Sequence, residues 1–394
     1  MKAKNGRGSK AITKWRWQLR VPVDPEQPDG PSKLVGKSGY ATADDASEGL
    51  DTARQAHKAG QAAVTTKETV AAFSDVWLDS LNLAPSTMAG YRKIIRNQVV
   101  PQLGGRRLDT LTPSGIKAHY RQLRDHGGNG ATKGGQGLSP NTVAKVHNVL
   151  SAMLDAAVID GHLATNPARH PSVKAPRAQE IRGAQDEVTT WTAAELRAFL
   201  EWDRNVYQDD LHTLWLVIAQ TGMRRSEAIA LRWQDFDAGN QRLAVRRAAD
   251  TATARAVKST KTGSARVIDL SAEVVDALHA WKRLVAQISF EHAKAGAYIL
   301  GNPSGELRSP NEVGRRWRRR VLAAQQVMPD LPTVTLKGLR HTHATLLLQA
   351  GVQPKVVQER LGHSTIAVTM NIYSHVMPSM QRDAVDRLSA IMGQ

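Results

Sequence analysis

Apolar residues recur every three or four positions through most of the chain and alternate with polar ones only in a few short runs. The first spacing buries one stripe of a helix and the second buries one face of a strand. The expected fold class is therefore mainly α with small β-sheets, divided among several domains. Trp15, Trp17, Leu19 and Val21 alternate as in a strand, residues 33–41 supply further strands, and Asp44 to Ala59 follows a helical pattern capped near Thr42. A small basic sheet packed on one helix is expected there, with an expression tail plus linker as the alternative. A second unit opens with Val70, Phe73, Trp77 and Leu81 at helical spacing. Helices are expected from Pro85 through Tyr91 and Ile95, and from Thr112-Pro113 through Ile116 and Tyr120. Residues 127–137 are glycine-rich and read as a loop. Ser139-Pro140 then starts a helix with Val143, Val146, Leu150, Met153 and Leu154 on one side. Together these predict a helical bundle.

Residues 168–190 lack periodicity, contain proline and read as a connector. Beyond it, Thr192 and Glu195 form a capping-box pattern, and Leu211 to Gln220 is apolar enough for a buried helix that stops at Thr221-Gly222. A helix over Met223 to Leu231 is expected next. It would put Arg224 at a helix start, where backbone N–H groups favour an anion, with Glu227 one turn on to hold the guanidinium. A surface ion pair is the plainer reading. Short strands are expected at Arg242–Arg247, Ala256–Lys258 and Arg266–Leu270, with Lys261 projecting from the turn between the last two. Gly314 to Arg320 is a strongly basic helical run. Near the end, helices are expected over Gly338–Gln349, from Pro354 to just before Gly362, and from Ser364 or Thr365 onward, which puts His363 on a turn. Read alone, these last helices also fit a helix-turn-helix DNA reader. The domain boundaries that follow are 1–62 for the sheet-plus-helix module, 63–170 for the bundle, 171–190 for the connector and 191–394 for a mixed α+β domain.

Charge narrows the partners. The 394 residues carry a formal net charge of +17, and the pI is about 10.2, so a polyanion is the natural ligand. Cysteine is absent, which excludes disulfides and thiolate metal sites. No apolar run of membrane-spanning length and no signal-peptide pattern is evident, so a cytoplasmic, nucleoid-associated protein without a membrane partner is expected. The basic positions expected to touch DNA are Lys14, Arg16, Arg92, Lys93, Lys145, Arg315, Arg316, Arg318 and Arg319.

One chemistry organises the last third of the chain. Tyr373 lies close to the C-terminus, with Lys337, Arg340 and His363 upstream of it. A phenol can attack phosphorus, but with a pKa of about 10 it must lose its proton first. Arginine presents a planar fork of donors that matches two phosphate oxygens. Lys261 is placed to protonate a leaving-group oxygen, although an exposed hairpin lysine is the bland alternative. His341 and His343 diverge by about 200° on a helix and read as packing or supporting residues.

In order, Arg224, Lys261, Lys337, Arg340, His363 and Tyr373, carried by TGMRRSEAIALRW, KSTKTGSARVIDL, LKGLRHTHATLLL and LGHSTIAVTMNIYSHV, resemble the tyrosine recombinases, specifically phage-type integrases. The resemblance implies site-specific DNA strand exchange without ATP or a metal cofactor. Arg224 and Arg340 would grip the scissile phosphate, Lys261 would protonate the departing 5′ oxygen, and His363 would hydrogen-bond the phosphate. Tyr373 would form a 3′-phosphotyrosyl link. The family usually has histidine where this chain has Lys337; a lysine there still donates a hydrogen bond and a charge but is a poorer proton acceptor near neutral pH. Residues 139–168 are similar to the end of the family's core-binding domain, and the tryptophan-bearing N-terminus is similar to its arm-binding domains. The implied partners are double-stranded DNA attachment sites, a tetramer on DNA, and accessory DNA-bending and directionality factors. A resolvase, a type IB-like topoisomerase and a catalytically silent DNA-binding regulator are the alternatives.

Overall fold

The computed structural model describes residues 15–22, 32–58, 66–127, 137–184, 188–251, 253, 256–259, 265–376 and 380–393. They form two compact units, residues 1–186 and 187–394. Helices dominate both, as the apolar spacing predicts.

In the first unit, strands β1 (Trp15–Pro22) and β2 (Ser32–Tyr40) form an antiparallel ribbon backed by helix α1 (Ala43–Lys58). Buried Trp17, Tyr40 and Ala46 make its small core, and the Trp17 indole donates to the Tyr40 hydroxyl (2.8 Å). The bundle is built from α2 (Val70–Ser80), α3 (Pro85–Ile94), a π turn leading into α4 (Val100–Leu103), α5 (Pro113–His126) and α6 (Pro140–Ile159). Thr69, Thr112 and Ser139 cap α2, α5 and α6 with their hydroxyls. This is the expected chemistry at helix starts. By composition α6 is long and apolar enough to cross a membrane, yet Val143, Val146, Leu150, Met153 and Leu154 are buried in the bundle core.

The ribbon module is fastened to the bundle rather than merely tethered. Buried Asp45, from the first turn of α1, accepts hydrogen bonds from the hydroxyls of Thr112 (2.9 Å) and Ser114 (3.3 Å) at the start of α5. Glu48 adds a contact to the Ser114 hydroxyl. Lys37 of β2 pairs with Asp109 (3.1 Å). The stretch expected to be a connector holds a short helix, α7 (Ala178–Gly183), and Val173 belongs to the bundle core. Six helical residues without an apolar stripe leave no periodic signal to read.

The second unit opens with α8 (Ala193–Trp202), whose capping box forms as expected, Thr192 bonding the Glu195 amide and Glu195 returning to the Thr192 amide. Helix α9 (His212–Thr221) is buried on nearly every side. It leads to α10 (Arg225–Ala228), strands β3 (Phe236–Asp237), β4 (Arg242–Val245), β5 (Arg247–Ala249), β6 (Val257–Ser259) and β7 (Arg266–Asp269), then α11 (Ala272–Ile288) and α12 (Pro310–Ala324). The strands split into a β3-β4-β7 sheet and a β5-β6 ribbon. Trp191, Phe199, Trp215 and Trp317 form an aromatic centre with ring centroids 4.8–5.7 Å apart. The buried indoles of Trp191 and Trp317 donate to the carbonyls of Pro332 and Val334. Helices α13 (Leu336–Gln349), α14 (Pro354–Leu361), α15 (Ile366–Val376) and α16 (Met380–Ile391) complete the chain. Ala344, Leu348, Val357, Leu361 and Ile372 pack α13, α14 and α15 together.

Candidate active site

Helix α9 ends at Gly222, which takes φ +64° and bonds its amide to the Ile218 carbonyl. The helix expected over Met223–Leu231 is a single turn, Arg225–Ala228, with Arg224 at its N-cap. Helix propensity yields there to burial. Amide bonds from Ala230 to Glu227 and from Leu231 to Ala228 tighten the chain into a bend that leaves Ile229, Ala230 and Leu231 fully or nearly fully buried. A four-residue helix has little dipole to offer an anion. What holds Arg224 is Glu227, as the spacing suggested, but Glu227 is buried at 3% exposure rather than on the surface.

The Glu227 carboxylate takes four donors. Oε1 accepts from Arg224 Nη1 (2.8 Å) and Arg266 Nη1 (3.2 Å), and Oε2 accepts from the Arg224 amide (3.0 Å) and Arg266 Nη2 (2.6 Å). Burial pushes its pKa up, but the two guanidinium groups outweigh this and hold it below the ordinary carboxylate value. It is therefore an anion at neutral pH.

Arg340 comes to the same place from α13, far away in sequence. It is buried and donates to the carbonyls of Gly222 (2.7 Å) and Leu361 (2.9 Å). Arg224 Nη2 donates to the carbonyl of Gly362 (2.9 Å), and Arg266 Nε to that of Arg360 (3.1 Å). Three consecutive carbonyls at the C-terminal end of α14 thus each receive one guanidinium. Those carbonyls lack intrahelical donors and sit at the negative end of the helix dipole, which favours cations. Burial first, and then repulsion from Arg224, lowers the Arg340 pKa to about 9, so it remains a cation at neutral pH.

His363 follows directly, on the turn after Gly362, which takes φ +67°. Its Nδ1 is 2.8 Å from the hydroxyl of Thr369, a fully buried residue of α15. Burial, then Arg340 and Arg224, lowers its pKa to about 4, so the ring is neutral at pH 7. Arg224, Glu227, Arg340 and His363 are therefore brought together as the sequence suggested.

The other expected residues fall into three groups. Tyr373 lies on α15, the helix that opens three residues after His363, and its side chain is outside the described residues. Lys261 and Lys14 also lie outside them. Lys337 is exposed on the first turn of α13, near enough to His341 that its charge, after burial, helps hold that imidazole at about 4. His343 is a packing residue, as expected. It is buried, bonded through Nδ1 to the Ala219 carbonyl (2.9 Å), and it accepts at Nε2 from Arg360 (3.2 Å).

Among the expected DNA-contacting residues, Arg16, Arg92, Lys93, Lys145, Arg315, Arg318 and Arg319 are exposed, and Arg92 pairs with Asp79 (3.0 Å). Arg316 does not fit the expectation of a phosphate contact, because its guanidinium is held by Asp209 (2.8 Å) and Asp210. The basic run has two faces. Trp317, Arg320 and Val321 point into the protein, and buried Arg320 pairs with Asp203 and Asp209. Sequence reading also missed Arg266. Its signal was register: it shares the inward face of β7 with buried Ile268, while Val267 between them is exposed.

Known proteins resemble most of the chain. The model of the phage integrase family matches residues 190–380, and that of the phage integrase N-terminal SAM-like domain matches residues 69–123. A tyrosine recombinase XerC-like protein of Caldanaerobacter subterraneus subsp. tengcongensis is 26% identical, over 77% of this chain and 78% of its own length. The tyrosine recombinase XerC of Mycobacterium bovis is 30% identical, over 73% of this chain and 84% of its own. In fold, the chain is similar to the Tn1549 transposon integrase solved in complex with transposon right end DNA. The TM-score is 0.65 at 24% identity, over 82% of this chain and all of that one.

Proposed function

The chain belongs to the tyrosine recombinase family, and from that premise we propose that it breaks and rejoins DNA at attachment sites through Tyr373, integrating and excising a phage or mobile element. The phenolic oxygen of Tyr373 gives up its proton to solvent and attacks the scissile phosphorus, the bond to the 5′ oxygen breaks, and Lys261 delivers a proton to that oxygen, to be recharged from solvent. The strand stays joined to the protein as a 3′-phosphotyrosine until a 5′ hydroxyl attacks in reverse. One phosphoester bond is made for each one broken, so no ATP is consumed. Arg224 and Arg340 neutralise the non-bridging oxygens where charge accumulates. His363 donates a hydrogen bond to the phosphate through Nε2, with Nδ1 held by Thr369, and Lys337 adds charge at the rim.

The observation that carries this reading is the meeting of Arg224 and Arg340 at the turn that immediately precedes His363. Residues 1–62 act as an arm-type DNA-binding module, 63–170 as the core-binding domain, 171–190 as the connector and 191–394 as the catalytic domain. The ribbon-and-helix module favours an integrase over a resolvase, since a second DNA grip suits integration. Four copies assemble on two duplexes in the bacterial cytoplasm, with accessory DNA-bending and directionality factors. Exposed Arg315, Arg318 and Arg319 of α12 contact backbone phosphates.

The test is Tyr373→Phe on a nicked suicide duplex, in which the cleaved fragment diffuses away and traps the covalent complex. The variant should bind DNA normally and form no covalent adduct. An adduct at the wild-type level would mean that another residue is the nucleophile.

A further inference from the structure

We propose that Arg266 is a positioning residue for the reaction, acting through Glu227 to hold the Arg224 guanidinium open to the phosphate. The proposal rests on the assignment of Arg224 as a phosphate ligand. Nothing in the chemistry of the reaction calls for a third arginine here, yet Arg266 is 13% exposed and satisfied at all three of its nitrogens. Its two terminal nitrogens grip both oxygens of Glu227, a fork on a carboxylate, and its Nε holds the Arg360 carbonyl. Gly362 is built around it, because a Cβ there would lie 3.0 Å from Arg266 Nη1.

The arrangement decides what Arg224 is free to do. Glu227 uses one oxygen on the Arg224 side chain and takes its other strong side-chain contact from Arg266. Without Arg266, a carboxylate at 3% exposure keeps Arg224 as its only guanidinium partner. A buried, under-neutralised anion draws such a partner toward itself, and the donors that should meet the phosphate turn away. Arg266 is thus the counter-charge that lets one carboxylate orient Arg224 without capturing it. The sequence also favours this role: Arg266 follows Lys261, the proposed proton donor, by five residues.

The experiment measures single-turnover cleavage of a suicide duplex by Arg224→Ala, Arg266→Ala, Arg266→Lys and the double variant Arg224→Ala/Arg266→Ala. Each is run with a normal scissile phosphate and with a neutral methylphosphonate there, beside DNA binding and thermal melting. Arg266→Ala should bind DNA as wild type and cleave on the order of 10- to 100-fold more slowly. The double variant should be no slower than Arg224→Ala alone, because both changes remove one function. The losses from Arg266→Ala and Arg224→Ala should shrink together on the neutral linkage, which needs less cationic stabilisation. Losses that multiply, or a loss equal on both linkages, would make Arg266 a purely structural ion pair and overturn the proposal, as would wild-type cleavage. Should Arg266→Ala fail to fold, Arg266→Lys decides: it keeps the charge without the fork, and its partial loss must likewise shrink on methylphosphonate. Failure of the underlying reading looks different, since Arg224→Ala itself would then cleave normally.

Discussion

Replacing Gly222 by alanine tests how the two halves of the site are joined. Gly222 has φ +64°, a conformation that costs an L-residue about 1–2 kcal/mol. A Cβ there would lie 2.3 Å from Leu361 Cδ2 and 2.7 Å from His343 Cδ2. Neither neighbour gives way easily. Leu361 is fully buried, and the His343 ring is bonded at both nitrogens. Overpacking of this kind adds about 1–3 kcal/mol, for a total of roughly 2–5 kcal/mol. At about 2–4 °C per kcal/mol for a domain of this size, the catalytic unit should melt about 4–20 °C lower. The second effect is local. The Gly222 carbonyl holds Arg340 Nη1 at 2.7 Å, so α9 and α14 moving apart would misplace the guanidinium. Well below the melting point, single-turnover cleavage should fall by about 10- to 100-fold while DNA binding holds. Calorimetry and a suicide-duplex assay read the two effects separately. Unchanged melting refutes the packing argument. Lowered melting with normal cleavage refutes the claim that Gly222 sets Arg340.

Histidine protonation gives a second expectation. His341, His343 and His363 each titrate at about 4 in the folded chain, from an ordinary 6.5, with burial the largest cause. The unfolded chain then binds more protons between those values, so stability is complete above pH 6.5 and is lost as pH falls toward 4. Melting temperatures that stay level across that window would contradict the burial of these rings, and kcat/KM should show no limb near pH 6.5. The two faces of α12 give a third. Arg320→Ala leaves Asp203 and Asp209 buried without that partner, a cost of about 3–5 kcal/mol to be seen as a lower melting temperature. Arg319→Ala should leave melting unchanged and reduce the salt dependence of DNA binding by about one ion. Equal effects of the two variants would erase the distinction between the faces.

Much of this site was legible in the order of residues, and the reasons differ by residue. Glycine after α9 and after α14 marks helix ends that only a left-handed backbone can make, so Gly222 and Gly362 placed the turns correctly. The Thr192–Glu195 cap is a local pattern, and local patterns survive folding. What the sequence hid was long-range pairing. Arg316 and Arg320 look like Arg315 and Arg319 in composition, and only the inward turn of Trp317 and Val321 on the same helix, with aspartates some hundred residues earlier in the chain, sorts them. The helical sequence around α10 extends beyond the observed helix, because the burial of Ile229 to Leu231 overrules local propensity. Arg266 reads locally as one more charge in a short strand.

The fastening of the N-terminal ribbon has a consequence for distance. Asp45 on the hydroxyls of α5, and Lys37 on Asp109, make ribbon and bundle a single piece. A duplex lying on the ribbon would therefore be carried at a fixed bearing to one lying on the bundle. Were both surfaces to hold DNA, a gap between the two tracts would be closed by curving the double helix.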